Sequence, residues 1–485
     1  MKAIALAALD AVARRGVAYA DVRAVEIGER EVSTKNGRPG HVSSTESRGV
    51  GIRALVSGCW GFAATDDLSR EGVEAAAGLA IEIARASASA RREEVRLVPE
   101  EKYEAEWVSP WSIDPFTIPV DRNLATLLAV DEELRRVAGV SLAEASMHFE
   151  RRRQVFASTA GSLIDQTRVT SGAGFSALSY KQGEIQRRSY PNSFGGQYQL
   201  KGYELVEELR LLENAPRVAE EAVALHGADQ CPEGEFDLIL DSSQLGLQIH
   251  ESIGHPIELD RVLGSEANYA GMSFLTLDQL GRLAYGSEMV NVVCDARVEH
   301  GPGLGTFAFD DEGVPAQRTE IIRAGRFTGY MTSRETAATV GAARSNGCMR
   351  ADGWARLPLI RMTNVSLEPG AQTLEEVFGA DHAIYMETNR SWSIDDKRYN
   401  FQFGCEIGWE IRNGKRVRML KNPSYSGITT EFWNRCAAIA GREHWTLWGV
   451  PNCGKGQPEQ VMGTGHGASP ARFRGVRIGS AYAKE

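Results

Sequence analysis

The sequence predicts an α+β fold, in which helices and strands alternate through the N-terminal half and strands dominate the C-terminal half. Apolar residues recur at helical spacing in several N-terminal segments. From about residue 290 onward, short β-branched and aromatic runs alternate with glycine turns, which is typical of strands. The 485 residues, 42% hydrophobic and 24% charged, suffice for two or three domains with sizeable cores.

Residues 1–110 are predicted to form an N-terminal α/β domain. A first helix at 3–15 is supported by Leu6, Leu9 and Val12, which recur at helical spacing. The next predicted elements are a strand at 20–28, short strands around a turn at 36–40, a hairpin that turns at Ser57-Gly58, and an Ala-rich helix at 67–88. The segment 89–118 is charged and then carries proline and tryptophan, so it is predicted to be a linker.

A middle α/β segment is predicted at 111–228. Its elements are, in chain order, a helix at 120–138, strands at 141–158 and 162–182, a return toward another strand at 185–193, and a helix at 202–225. The sequence Cys231-Pro232-Glu233-Gly234 then breaks the chain. A C-terminal domain is therefore predicted at 229–485.

The C-terminal domain is predicted to begin with a buried strand and a capped helix. Residues 236–240 (FDLIL) form the strand, and Asp241 has the residue type of a helix N-cap. Gln244 follows three residues later, as in a capping box. Further along, Asn413-Gly414 is a hairpin signal between two apolar runs.

Composition and charge exclude several classes of function. The net charge of -10 and the lack of a long Lys/Arg run argue against a nucleic-acid-binding protein. Seven widely spaced cysteines without a C-x-x-C pair indicate a reducing compartment. Asp10 interrupts the N-terminal apolar run, which disfavours a signal peptide, and no run of eighteen apolar residues predicts a membrane span. We therefore expect a cytoplasmic protein.

The most informative segment is residues 250–255 (HESIGH). Neutral imidazoles bind zinc and related metals, and a neighbouring carboxylate such as Glu251 can act as a general base. The two histidines are five residues apart, whereas the H-E-x-x-H motif of zinc peptidases has them four apart on one helical face. The helix must therefore be distorted or end near His255. Gly254 and Pro256 favour this, because a residue before proline is pushed out of the α region. Chance spacing is the alternative.

Two histidines do not complete a catalytic zinc site, which usually takes three protein ligands. The candidates for the third ligand are the cysteines and four further residues, namely Glu258, Asp260, His300 and His466. Cys453 stands out, because small flexible residues surround it and the nearby Lys455 would favour the thiolate.

The segment 250–260 resembles the HExxxH segment of the TldD/PmbA (TldE) peptidases. The resemblance continues, in family order, through FDDEG at 309–313, RMTN at 361–364, CGKGQP at 453–458, and GHG at 465–467 followed by PARF at 470–473. It covers roughly residues 235–480, and the first 230 residues agree only in element pattern. The run at 345–350 (SNGCMR) departs from the Gly- and Arg-rich run expected there, so substrate preference would differ if residues 345–357 line the cleft.

The resemblance implies a metal, zinc before other metals, held by His250, His255 and Cys453, with Glu251 activating a metal-bound water. It implies the catalytic, TldD-type subunit of a metallopeptidase that hydrolyses small or unfolded peptides. The expected assembly is a homodimer or a heterodimer with a TldE/PmbA-like partner. The implied fold is an N-terminal α/β part followed by a strand-rich, β-barrel-like C-terminal domain that carries the metal site.

Five further residues have weaker roles in this interpretation. His466 would orient a ligand or stabilise an oxyanion, or would be an ordinary buried histidine. Glu258 and Asp260 would hydrogen-bond a ligand imidazole, or would cap a helix and form salt bridges. Arg361 and Asn364 would bind the substrate backbone, or would pack at a strand end.

Two other functions remain open from the sequence. One is a metal-dependent amidohydrolase that acts on a non-peptide or modified-peptide substrate. The other is a non-catalytic, TldE-like regulatory subunit with a structural metal site, against which the spare carboxylate of Glu251 argues. Iron, cobalt and manganese are alternatives to zinc, although a cysteine ligand favours zinc.

Overall fold

The computed structural model describes residues 1–480 and contains both helices and strands. The α-helices of this part of the chain are α1 (Lys2–Ala13), α2 (Arg70–Ala88), α3 (Val120–Arg136), α4 (Glu204–Glu208), α5 (Leu211–Ala224), α6 (Ser242–Ile249), α7 (Leu259–Val262), α8 (Leu374–Phe378) and α9 (Thr429–Asn434). A π-helical turn, His250–Gly254, follows α6 directly.

The strands of residues 1–480 are β1 (Tyr19–Lys35), β2 (Arg38–Val56), β3 (Cys59–Thr65), β4 (Glu104–Val108), β5 (Val140–Ser158), β6 (Leu163–Lys181), β7 (Glu184–Tyr190), β8 (Gln197–Gln199), β9 (Asp229–Gln230), β10 (Gly234–Leu240), β11 (Val292–Asp295), β12 (Arg318–Arg323), β13 (Arg326–Phe327), β14 (Met349–Arg350), β15 (Leu359–Ile360), β16 (Val365–Leu367), β17 (His382–Ile394), β18 (Asn400–Arg412), β19 (Lys415–Lys421), β20 (Pro423–Ile428), β21 (Cys436–Ile439), β22 (Thr446–Lys455), β23 (Gln460–Ala468) and β24 (Ala471–Ser480).

One sheet organises the N-terminal part of the molecule. Its strand order is β3-β2-β1-β5-β6-β4, and β7 and β8 also pair with β6. Alternate residues of the long strands pack against α1 and α2 at one end and against α3 and α5 at the other, in two apolar clusters. The opposite face of the sheet carries buried polar residues, among them Asp21, Arg23 and Gln154.

The same sheet takes strands from both sides of the predicted boundary between residues 110 and 111. β1 pairs with β5 from Asp21↔Ser158 to Lys35↔Glu144, and β4, within the predicted linker, pairs in parallel with β6. The boundaries of the three predicted domains stay predictions. The helix predicted at 202–225 is divided at Arg210, whose left-handed φ of 48° separates α4 from α5.

The C-terminal part contains a closed five-stranded barrel, which confirms the predicted α+β fold with a barrel-like C-terminal domain. The barrel runs β17-β10-β24-β20-β18 and closes through the pairing of β18 with β17. Apolar side chains fill it, with Phe403 and Trp433 among the largest that are completely buried. No helix within the described residues is long and apolar enough to cross a membrane.

The helix α6 and the hairpin β22–β23 connect the barrel to the candidate site. After β10, the Asp241 carboxylate accepts hydrogen bonds from the backbone N–H groups of Ser243 and Gln244 and so begins α6, as the sequence predicts. The side chain of Gln244 donates to the Tyr425 hydroxyl instead of completing the capping box. The hairpin β22–β23 lies against α6 and forms its own two-stranded sheet.

Candidate metal centre

The π-helical turn explains how two histidines five residues apart can face each other. The backbone N–H of His255 donates to the carbonyl of His250 at 3.2 Å, a hydrogen bond that spans five residues instead of four. The wider turn brings the two imidazole ring centroids to 4.9 Å, nearly at right angles. The expectation that Pro256 would push His255 out of the α region was wrong, because His255 has φ -65° and ψ -42°.

Cys453 joins the two histidines from the hairpin β22–β23. His250, His255 and Cys453 each offer one donor atom, and these atoms lie within 4.8 Å of one another. The Sγ of Cys453 is 3.6 Å from Nε2 of His255. All three residues are buried, with exposed fractions of 3%, 4% and 4%. The fold thus brings together the three residues that the family resemblance implied.

Two hydrogen bonds leave the Nε2 atoms of both histidines free to bind an ion. His255 Nδ1 lies 3.0 Å from a carboxylate oxygen of Glu258, and an ionised carboxylate only accepts, so His255 Nδ1–H donates. His466 Nδ1–H donates to the Val365 carbonyl at 3.1 Å. His466 Nε2 is therefore an acceptor, and it lies 2.7 Å from Nδ1 of His250. His250 consequently carries its proton on Nδ1.

Burial keeps these imidazoles neutral. It lowers the pKa of His250 to about 4 and holds the pKa values of His255 and His466 well below their ordinary value. Burial alone would raise the pKa of the Cys453 thiol, but the charge of Arg361 and the interaction with His255 lower it. Two neutral imidazoles and a thiol with a lowered pKa form a donor set that fits zinc.

The carboxylate of Glu251 is fixed by a residue that sequence reasoning missed. Arg398 Nη1 donates to Glu251 Oε2 at 2.7 Å. Arg398 lies between β17 and β18 at a φ of 64°, next to Lys397 in an ordinary-looking polar turn. Nothing in the sequence pattern of that turn indicates a contact with a residue 147 positions earlier.

A buried group of charges lies behind His255. The ammonium of Lys455 is 2.7 Å from Asp260 and 3.4 Å and 3.5 Å from the carboxylates of Glu258 and Glu266. Burial lowers the pKa of Lys455, but these carboxylates raise it above its ordinary value, so Lys455 stays protonated. Lys455 therefore compensates the carboxylates, and Arg361 has the effect on Cys453 that the sequence suggested for Lys455.

The structure puts the remaining candidates in different surroundings. Arg361 is completely buried and donates to the Cys453 carbonyl at 2.6 Å. Asn364 is also buried, donates to the Asp295 carbonyl at 2.7 Å and accepts from the backbone of Gly305. His300 lies 2.9 Å from the Ser366 hydroxyl and is not in the group of three donors found within residues 1–480.

Part of the segment 345–350 lies beside the hairpin that carries Cys453. Arg350 donates to the carbonyls of Gly463 at 2.9 Å, Met362 at 2.7 Å and Leu304 at 3.1 Å. At the other end of the segment, Asn346 donates to the carbonyl of Tyr330. The segment therefore joins the hairpin to three neighbouring loops of the C-terminal part.

Family models match two parts of this chain. The PmbA/TldA metallopeptidase C-terminal domain matches residues 233–480, just over half of the chain, and domain 1 of the PmbA/TldA metallopeptidases matches residues 20–84. Both matches agree with the structure, since the first spans the barrel and the hairpin and the second spans β1, β2, β3 and α2.

Relatives with similar sequences are named as metalloproteases. One, from Methanocaldococcus jannaschii, is 27% identical over 93% of this chain and 95% of its own length. A metalloprotease TldD homolog of Buchnera aphidicola is 26% identical over 86% of this chain and 84% of its own length. A zinc metalloprotease TldD homolog of Saccharolobus solfataricus is 28% identical over 43% of this chain and 44% of its own length.

Solved structures share the fold along nearly the whole chain. A protein of Thermotoga maritima, described as a candidate modulator of a DNA gyrase, superposes with a TM-score of 0.77 at 16% identity and covers 98% of this chain and 99% of its own. TldE from Thermococcus kodakarensis superposes with a TM-score of 0.72 at 16% identity and covers 97% of this chain and 99% of its own.

Proposed function

The chain belongs to the PmbA/TldA metallopeptidase family, and from this premise we propose that it is the catalytic, TldD-type peptidase, which hydrolyses small or unfolded peptides. One observation carries the proposal. His250, His255 and Cys453 offer donor atoms within 4.8 Å of one another, and Glu251, whose charge acts on the neighbouring His250, is a carboxylate that is not needed as a ligand. A purely structural metal site has no use for such a carboxylate.

His250, His255 and Cys453 would hold the metal. Zinc fits the donors best, because thiolate and imidazole together favour it over iron, cobalt and manganese, and one relative is named a zinc metalloprotease. When bound, the metal supplies Lewis acidity to the attacking water and to the scissile carbonyl.

Residues of the protein transfer the proton from the attacking water to the leaving amine. Glu251 takes a proton from the attacking water and passes it to the leaving amine. Arg398 orients Glu251 through its hydrogen bond at 2.7 Å. His466 and Glu258 hold the two ligand imidazoles in the tautomers that expose Nε2. Arg361 compensates the charge of the Cys453 thiolate.

The substrate, assembly and location of the protein follow from the same proposal. An extended peptide suits a site to which a β-hairpin contributes, because main-chain hydrogen bonds would hold the peptide with little sequence preference. We propose a homodimer or a heterodimer with a TldE/PmbA-like partner, as the family resemblance implies. The cysteines of the described residues are all free and buried, which fits the proposed cytoplasmic location.

The test measures metal content and peptide hydrolysis on the same samples, purified without chelators. Glu251→Gln should keep the metal of the wild type and lose turnover by about 10²- to 10⁴-fold, because the proton acceptor is removed. Cys453→Ala and His250→Ala should lose both metal and activity. Glu233→Gln, on an exposed residue away from the site, is the matched control and should change neither.

Several outcomes would contradict the proposal. Full activity in Glu251→Gln would remove Glu251 from its role, and unchanged metal content in Cys453→Ala would remove Cys453 from the ligands. Hydrolysis of small amides but not of unstructured peptides would identify an amidohydrolase. A metal-containing wild type that hydrolyses neither substrate, alone or with a TldE/PmbA-like partner added, would indicate a TldE-like regulatory subunit.

A further inference from the structure

A cavity of about 460 Å³ lies between the N-terminal sheet and the hairpin that carries Cys453. Strands β1, β5 and β6 supply one wall, and Pro451, Met462 and Gly463 of the hairpin supply part of the other. Met462 is the cross-strand partner of Cys453, and Pro451 precedes Cys453 by two residues. Two residues of a strand span about 7 Å, so the cavity begins close to the proposed metal ligand.

Three arginines line this cavity. Arg152 is paired, since its Nε lies 3.3 Å from Glu150 and its guanidinium also donates to the carbonyls of Ala351 and Asp352. Arg350 donates only to backbone carbonyls and faces no carboxylate at ion-pair distance within residues 1–480. Burial, and then repulsion from Arg168 and other arginines, lowers the pKa of Arg350 to about 9.

Arg168 is the third of these arginines, and within residues 1–480 its guanidinium forms no hydrogen bond and no ion pair, although the charges of Glu150 and Asp311 act on it from further away. Arg168 lies in the first half of β6 and is partly buried. Burial, followed by repulsion from Arg152, lowers its pKa. A guanidinium has five N–H donors, and those of Arg168 are available to an anion that enters the cavity. The cavity therefore contains a guanidinium whose N–H donors are not bonded to any group of the described residues.

The acidic residues of the cavity do not supply that partner. Glu150 is engaged by Arg152. Asp352 accepts from the backbone N–H of Val461 at 3.1 Å. Glu29 and Glu31 line the cavity from exposed positions on β1. These two carboxylates would repel a second anion at the entrance, so a ligand must offer its charge directly to Arg168.

We propose that this cavity binds a carboxylate of the peptide substrate, with Arg168 as its bidentate partner and Arg350 beside it. This inference rests on the proposed peptidase function. Guanidinium and carboxylate match in geometry through two parallel N–H···O bonds. Because the cavity adjoins Cys453, the carboxylate would lie within a few residues of the scissile bond. It comes from the free C-terminus of the peptide or from an acidic side chain.

The experiment measures peptide binding separately from hydrolysis. The zinc-loaded Glu251→Gln protein is titrated, by fluorescence anisotropy, with a labelled Ala/Gly hexapeptide that has a free C-terminal carboxylate, with its C-terminal amide, and with an amidated version that carries one internal glutamate. At least one carboxylate peptide should bind about tenfold or more tightly than the plain amide, as a buried charge-assisted hydrogen bond requires. The peptide that does so identifies the source of the carboxylate.

Substitutions at Arg168 then assign the effect. Arg168→Gln should abolish the preference for the carboxylate and leave binding of the amide within about twofold, and Arg168→Lys should restore part of the preference. The matched control is Arg153→Gln, which removes a partly exposed arginine paired with Asp165 and should keep the full preference. Thermal unfolding checks folding, and Arg168→Gln should unfold no earlier than its parent, because the guanidinium forms no hydrogen bond or ion pair with the described residues that the substitution could remove.

Equal binding of all three peptides, no measurable binding of any, or an equal loss for acid and amide in Arg168→Gln would each overturn the proposal. Hydrolysis by the wild type separates this failure from failure of the peptidase function. If the wild type cleaves the acid and the amide with equal kcat/KM, the function stands and the carboxylate site falls. If Arg168 selects the carboxylate but nothing is cleaved, the site stands and the peptidase function falls.

Discussion

The candidate metal centre and the junction between the N-terminal sheet and the C-terminal half both bury many polar groups, but they satisfy them differently. At the junction, Arg53 is 2.6 Å from Asp21 and 3.3 Å from Glu312. Glu312 also accepts from the backbone N–H of Arg334, whose side chain donates to the Tyr19 hydroxyl. We call these five residues the junction network. At the metal centre, by contrast, neutral donor atoms face one another.

We infer from this difference that the junction network contributes to stability and that the metal centre serves function. In the junction network each charge meets an opposite charge or a hydrogen-bond partner of the same chain, so the network needs no ligand. At the metal centre, His466 and Glu258 occupy only the Nδ1 atoms and leave two Nε2 atoms beside a thiol. The two Nε2 atoms and the Cys453 Sγ are therefore the donor atoms that a metal ion could bind.

The comparison also explains the motif FDDEG at 309–313. Asp310 accepts from the backbone N–H groups of Glu312, Val314 and Met349, which fixes the loop. Asp311 accepts from Gln154 of the N-terminal sheet at 2.7 Å. Through Asp311 and Glu312 the motif connects the N-terminal sheet to the C-terminal half of the molecule.

The largest stability effect should come from opening the junction network. Arg53→Met leaves the buried carboxylates of Asp21 and Glu312 without their cation, so the free energy of unfolding should fall by about 3–5 kcal/mol. Zinc content and kcat per folded molecule should stay unchanged, because the metal centre keeps its partners. Urea denaturation and metal analysis measure the two quantities.

The exposed pair Arg70–Glu74 provides the control for Arg53→Met. Arg70→Met removes a surface ion pair on α2 and should leave the unfolding curve where it was. If Arg53→Met were as mild as this control, the junction network would not be the closed, stabilising system described above.

The second largest effect is the pH dependence of the stability of the metal-free protein. His250 has a folded pKa of about 4 and an unfolded pKa near 6.5. Between these values the unfolded chain binds the proton and the folded chain does not, so stability falls as the pH drops from about 6.5 to about 4 and is fully present above 6.5. One unit of pKa difference corresponds to about 1.4 kcal/mol, so His250 should account for about 3 kcal/mol across this range.

The contribution of His250 is isolated by comparing the metal-free wild type with His250→Gln, since other groups titrate in both. Urea denaturation between pH 8 and pH 4 should give a shallower loss of stability in the variant. Parallel curves for the two proteins would show that burial does not keep His250 neutral, and the contrast with the junction network would fail.

Local patterns in the sequence predicted one half of the metal centre, and long-range contacts supply the other. His250, Glu251 and His255 share six residues, so their chemistry was visible, and the glycine and proline around His255 indicated a distorted helix. The π-helical turn itself was not predicted, because the side chains that contact it lie on distant elements, such as His466 on β23 and Trp433 on α9. Cys453 was singled out by residue type and by family resemblance.

The unpredicted features depend on contacts between distant parts of the chain. Arg398 reaches Glu251 across 147 residues, and neither sequence neighbourhood indicates the other. Arg168 lies on a strand whose alternation predicts only that some side chains are buried. The strand β4 lies in a segment that composition marked as a linker, because pairing with β6, not local propensity, holds it extended.

The smallest effect tests whether the residues behind the ligands matter to the metal. In His466→Ala, the Nδ1–H of His250 loses its acceptor at 2.7 Å, so the imidazole is free to rotate or to change tautomer. Zinc affinity, measured by competition with a chelator, should fall by about 10- to 100-fold. His466→Gln keeps an acceptor oxygen and should recover part of the loss. The control His444→Gln changes a partly exposed histidine away from the site and should bind zinc as the wild type does.

Equal affinities in His466→Ala and the wild type would mean that His466 only fills space beneath His250. In that case packing alone would hold the donor atoms of the metal centre, whereas ion pairs and hydrogen bonds hold the junction network.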